Sequence, residues 1–148
     1  AIGLGAAFVY GGGGIIFAGD SPTLIHAVAL KKMTGSGMSL FLKGILCNWL
    51  VCLALWSAAR TKNDMAKIAI IWFCLFAFIA TGYEHSVANM TIFAVALLSE
   101  HPDLITVGGA LRNLMFVSSG NAVSGVFLMG VGYWLAAGKP VSEKPCGN

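Results

Sequence analysis

Gly82-Tyr83-Glu84-His85-Ser86-Val87-Ala88-Asn89-Met90 places polar and ionisable side chains in the middle of an apolar run that otherwise reads as membrane-embedded. That run, Lys67 to Leu98, holds 32 residues. As one straight helix it would measure about 48 Å at about 1.5 Å per residue, against a hydrocarbon core of about 30 Å. It is too long for one straight crossing and too short for two crossings with a turn. A single crossing broken around 82–86 fits, with one helix from about Lys67 to Ala80, a second from about Ser86 to Leu98, and His85 where they meet.

Lipid offers backbone amides no partners, so irregular backbone at this depth persists only where it is packed in protein or lines a cavity. Two readings follow. The break lines a pore or binding site, in keeping with intramembrane ionisable residues marking function. Alternatively, it is a kink at Gly82 whose Glu84 and His85 satisfy each other inside a helix bundle.

The rest of the composition agrees with a bilayer setting. Hydrophobic residues make up 57% of the chain and charged residues 10%, with a mean hydropathy of +0.82, against roughly 25% charged residues in soluble domains. The fold class is an all-α, multi-pass membrane protein. A net charge of +3 without a Lys/Arg-rich block or aromatic–basic alternation excludes a nucleic-acid partner. Cys47, Cys52 and Cys74 lie in apolar spans and, like Cys146, lack C-x-x-C spacing, so buried thiols are expected rather than zinc or disulfides. His26 and His101 read as interfacial residues without metal-ligand spacing. No cofactor is implied.

Residues 1–18 read as a partial transmembrane helix entered partway along, with no basic leader and a Gly11–Gly14 run. Residues 19–37 read as an extracytoplasmic loop with a short surface helix, capped by Ser21, opened by Pro22 and ending near Met33. Residues 38–138 hold three crossings. The first, 39–59, has Lys43 near its start and Trp56 and Arg60 near its end. The second is the broken one. The third, 112–137, presents Gly120, Ser124, Gly125, Gly130 and Gly132 as small packing surfaces.

The linker carrying Arg60, Lys62 and Lys67 against Asp64 is expected to be cytoplasmic by the positive-inside rule, as is a mobile tail at 139–148. That topology leaves Lys31, Lys32, Lys43 and Arg112 outside. The outer lysines either form a field that concentrates anions or snorkel to headgroups.

Two segments carry a resemblance: Lys43-Gly44-Ile45-Leu46-Cys47-Asn48-Trp49-Leu50-Val51-Cys52-Leu53-Ala54 and Gly82-Tyr83-Glu84-His85-Ser86-Val87-Ala88-Asn89-Met90-Thr91, followed by Gly120-Asn121. Together they resemble the signatures of the formate/nitrite transporter family, on its nitrite side. The resemblance implies the C-terminal inverted-repeat half of an aquaporin-like six-helix channel with one broken transmembrane helix. It further implies a homopentamer when full length, in the bacterial inner membrane, with the facing half of each pore supplied by a first repeat.

Carried over by position, His85 matches the central pore histidine, Asn89 follows it in the same half-helix, and Asn48 matches the asparagine of the CN motif. Lys32 falls at the spacing of the anion-attracting lysine, and Phe78 matches an apolar constriction.

The function that follows is passage of a small monovalent anion, nitrite first, with formate or hydrosulfide as alternatives. His85 would hydrogen-bond the anion or protonate it, so that a neutral acid crosses the constriction at Phe78. Gly82 supplies the break. Glu84, next to His85 but facing elsewhere on a helix, is expected to satisfy loop or interprotomer amides. Asn48 and Asn89 either bracket the break or join helices. A second expectation is a channel half that is inactive without its complementing N-terminal repeat. An enzyme using Glu84 and His85 ranks last, because no nucleophile, metal cluster or phosphate loop accompanies them.

Overall fold

The computed structural model describes residues 2–11 and 24–138. They form α1 (Ile2–Tyr10), α2 (Leu24–Thr34), α3 (Gly37–Arg60), α4 (Asp64–Ala80), α5 (Ser86–Leu98), α6 (Val107–Val123), a π-helical stretch (Ser124–Val131) and α7 (Gly132–Ala136). The expected start at Ser21-Pro22, the second part of the 1–18 helix, Cys146 and the 139–148 tail lie outside the described residues.

Side-chain caps set most of the starts. Ser36 Oγ accepts from the Ser39 N–H at α3, Asn63 Oδ1 from Ala66 at α4, and Thr106 Oγ1 from Gly109 at α6, each satisfying a first-turn donor that has no partner within its helix. The Asn63 cap explains why α4 begins at Asp64 rather than near Lys67. Lys67, read as part of the linker, lies in its first turn and pairs with Asp64 at 2.9 Å.

Among the described residues, two helices are long and apolar enough to cross a membrane, Gly37–Arg60 and the continuous run Val107–Ala136. They pack along matching stripes. On α3 the buried residues are Leu40, Gly44, Cys47 and Ala54. On α6 they are Ala110, Asn113, Val117 and Gly120, continued by Ser124. Spacings of three and four residues keep each stripe on one face, and its small members let the backbones approach. A Cβ on Gly44 would lie 2.8 Å from the Val117 carbonyl oxygen, and one on Gly120 would collide with the Phe41 carbonyl. Near the far end Trp56 stacks on Tyr133, centroids 4.5 Å apart, with the Arg60 guanidinium 4.8 Å above the Trp56 ring.

The last span begins earlier than expected, at Val107, and it does not stay α-helical. From Ser124 it widens to a π winding. The Asn48 amide of α3 donates at 2.8 Å to the carbonyl of Asn121, just before that change. A side chain that enters the backbone ladder in this way is a recognised cause of such a shift.

A small apolar core joins α2, α5 and α6 through Ala29, Met33, Phe93, Ala96, Ile105 and Ala110. None of the α4 residues is buried, and Trp72, Phe73, Phe76 and Ile79 are exposed along it. An apolar face of that extent suits lipid or protein neighbours, not water.

His26, in α2 and so outside the two long helices, is buried and lies 2.8 Å from Ser99 Oγ at the end of α5. Burial first, and the charge of His101 second, hold its pKa below the usual 6.5. The fold therefore favours the neutral ring. Its contribution to stability is complete above the unfolded value and is lost as pH falls through the lower folded value. The melting temperature is expected to drop as pH is lowered below about 6.5, and His26→Gln is expected to flatten that slope.

Candidate functional site

The chain leaves α4 through a Schellman turn. Gly82 N–H donates to Ile79 O at 3.1 Å and Tyr83 N–H to Phe78 O at 3.0 Å, while Gly82 takes φ +69°, a left-handed conformation that favours glycine. Residues 83–85 are non-helical, and α5 starts at Ser86 with His85 as its N-cap: His85 Nδ1 accepts from the Ala88 N–H at 3.3 Å. With Nδ1 accepting, the ring proton sits on Nε2. The His85 ring also stacks on Phe78 of α4, centroids 5.9 Å apart.

Behind the turn lies a closed polar circuit. Lys32 Nζ meets Glu84 Oε2 at 2.8 Å. Asn89 Nδ2 donates to the same carboxylate oxygen at 2.6 Å and to Asn113 Oδ1 at 2.9 Å. Asn113 Nδ2 returns to the Lys32 carbonyl at 2.8 Å. Glu84, Asn89 and Asn113 are almost fully buried, so each polar atom needs such a partner. The C-terminal end of α2, which carries Lys32, is fixed from α6 as well, where Arg112 Nη1 donates to the carbonyls of Met33 and Gly35 at 3.3 and 2.8 Å.

Asn121 is a second hub. Its Oδ1 accepts from Ser86 N–H at 3.1 Å and Ser86 Oγ at 2.9 Å. Its Nδ2 donates to Gly44 O at 2.8 Å and Glu84 O at 3.2 Å. One amide thus fastens the turn and the first residue of α5 to α3. Asn121→Ala strips partners from several backbone groups at about 1–3 kcal/mol for each one left unsatisfied. Faster amide hydrogen exchange is expected at Ser86, with a lower melting temperature in detergent.

A cavity of about 660 Å³ opens beside the turn. It brings together six of the candidate site residues read from sequence: Lys32, Phe78, Gly82, Glu84, His85 and Asn89. Lys31, Lys43, Leu40 and Ile92 also line it. Asn48 is not among its lining residues; it binds the Asn121 carbonyl and, weakly, Cys52 Sγ at 3.5 Å. Asn113 is a site residue that sequence reasoning misses, and Asn121 is noted there only as part of the Gly120-Asn121 motif, without a role. The available signal is that Asn113 falls on the buried stripe of α6. Among the described residues no group of three or more His, Cys, Asp or Glu is arranged to hold a metal.

The model of the formate/nitrite transporter family matches residues 2–135. The chain belongs to the formate/nitrite transporter family. Among curated relatives, the nitrite transporter NirC of Salmonella typhimurium strain LT2 is 53% identical over 134 residues, which is 90% of this chain and 48% of that protein. NirC of Escherichia coli K12 is 51% identical over 136 residues, 90% of this chain and 50% of the relative. The formate/nitrite transporter chain thus spans about half the length of these relatives. Among solved structures, an FNT family ion channel superposes with a TM-score of 0.86 at 49% identity, covering 94% of this chain and 54% of that one. A pentameric formate channel with formate bound gives a TM-score of 0.66 at 26% identity, covering 76% and 51%. The all-helical fold is the one shared with these channels, and the family is one of membrane transporters rather than enzymes.

Proposed function

We propose that this chain forms one wall of a pathway for a small monovalent anion across the bacterial cytoplasmic membrane, with nitrite the first substrate and formate or hydrosulfide the alternatives. In this reading α4, residues 81–85 and α5 make a single interrupted crossing, the second of an inverted repeat, with the 61–63 connection and the C-terminal tail cytoplasmic. The opposite wall comes from the other half of the family's length, on the same or a separate polypeptide, and the whole assembles as a pentamer. Similarity to NirC proteins supports nitrite, and similarity to a pentameric formate channel supports the assembly.

The observation that supports this reading is that His85 and Phe78, stacked on each other, both line the cavity beside the 82–85 turn. An anion entering low dielectric loses hydration worth several kcal/mol. His85 offsets part of this by donating from Nε2, and the α5 N-terminus adds partial positive charge. Asn89 and the Lys32–Glu84 pair hold the turn in register behind the ring.

The test is nitrite uptake into proteoliposomes containing this chain, alone and with a first-repeat polypeptide. His85→Phe is expected to reduce uptake and flatten its pH dependence. An unchanged profile in the variant would overturn the role of His85, and absence of uptake from correctly inserted chain in both settings would overturn the transport reading.

A further inference from the structure

Resting on that reading, the geometry points to Lys43 as the residue that captures the anion, in a subsite of the cavity between α3 and the 82–85 turn. Three lysines line the cavity, and their circumstances differ. Lys32 is committed, with its ammonium 2.8 Å from Glu84 and the same carboxylate oxygen held by Asn89. A closely paired cation and anion act at a distance only as a dipole, so Lys32 contributes little net attraction to an approaching ion. Lys31 is exposed, where water and salt screen its charge over a length of about 8 Å.

Lys43 is half-buried and makes no ion pair or side-chain hydrogen bond among the described residues. Six residues into α3, it sits about 9 Å along the helix from Gly37 at about 1.5 Å per residue. Its backbone carbonyl accepts from the Glu84 N–H at 3.5 Å, which fixes its Cα beside the residue preceding His85. A partly desolvated ammonium without a counter-charge is stabilised by an anion more than a hydrated one is. The occupant that suits a half-buried ammonium with no ion pair among the described residues, a histidine donor and the apolar walls of Leu40, Phe78 and Ile92 is small and singly charged, with oxygen or sulfur acceptors.

The experiment measures the nitrite concentration dependence of uptake, together with nitrite binding by titration calorimetry in detergent, for the unsubstituted protein, K43M, K43R and K31M. For K43M the half-saturating concentration and the dissociation constant are expected to rise about tenfold, with a smaller change in maximal rate. That shift should persist in about 0.5 M impermeant salt, where surface charge is screened. K43R should stay within about threefold of the unsubstituted protein. An unshifted K43M, or a K31M shift as large as that of K43M and abolished by salt, overturns the assignment and leaves a diffuse surface field in its place. K43R as impaired as K43M overturns it in favour of a packing role. Absence of saturable binding or uptake in the unsubstituted protein overturns the transport reading itself.

Discussion

Gly120→Leu is expected to abolish the packed form of this protein. The Gly120 Cα lies against the backbone of α3, and an added Cβ would meet the Phe41 carbonyl directly and the Ile45 nitrogen at 3.1 Å. These atoms belong to a helix backbone, so no side-chain rotation relieves the contact. The helices must separate, and the α3–α6 seam that holds Asn121 against the Gly44 carbonyl opens with them. Overpacking a well-filled core costs about 1–3 kcal/mol, and a backbone-to-backbone collision belongs at or above the upper end of that range. Gly132→Ala supplies the comparison, because a Cβ added there would meet nothing within 4 Å; the gain in helix propensity is about 0.5–1 kcal/mol. Unfolding in detergent under increasing denaturant is expected to show the leucine variant unfolded where the alanine variant is at least as stable as the parent.

The second large effect is expected at the Lys32–Glu84 pair. Lys32→Met leaves the Glu84 carboxylate buried with Asn89 as its remaining side-chain donor. Removing one member of a buried pair costs about 3–5 kcal/mol, whereas replacing both by well-packed neutral groups is often close to neutral. K32M alone is therefore expected to be strongly destabilised, and K32M/E84Q to recover most of the loss. The double-mutant cycle reads this as a coupling free energy. Equal damage in the single and double variants would show that Lys32 acts through packing and not through its charge.

A helix boundary near Gly82 was legible because polar and ionisable residues in the middle of an apolar run have few physical explanations. The structure has α4 ending at Ala80 and α5 starting at Ser86. Phe78 and His85, seven positions apart, share one cavity. The role of Lys32 was harder to read. The family resemblance implied anion attraction for it; its ion-pair partner lies 52 positions away in sequence, and a partner at that separation exists only once α2 is docked beside the 82–85 turn. Asn113 drew no reading, and Asn121 entered only within the Gly120-Asn121 motif, for a similar reason: only tertiary structure aims an asparagine amide at particular carbonyls. The π winding was no more visible, since it depends on Asn48 reaching across from another helix.

His85 Nδ1 is the acceptor that starts α5, and this ties two kinds of chemistry to one atom. A neutral imidazole can hold the Ala88 N–H and still offer its Nε2 proton to a guest. An imidazolium carries protons on both nitrogens and must let that amide go. Charging the ring would therefore fray the first turn of the helix at the moment the proton arrives, so any delivery of acid to a passing anion would be accompanied by a backbone rearrangement, while simple hydrogen bonding to it would leave the turn at rest.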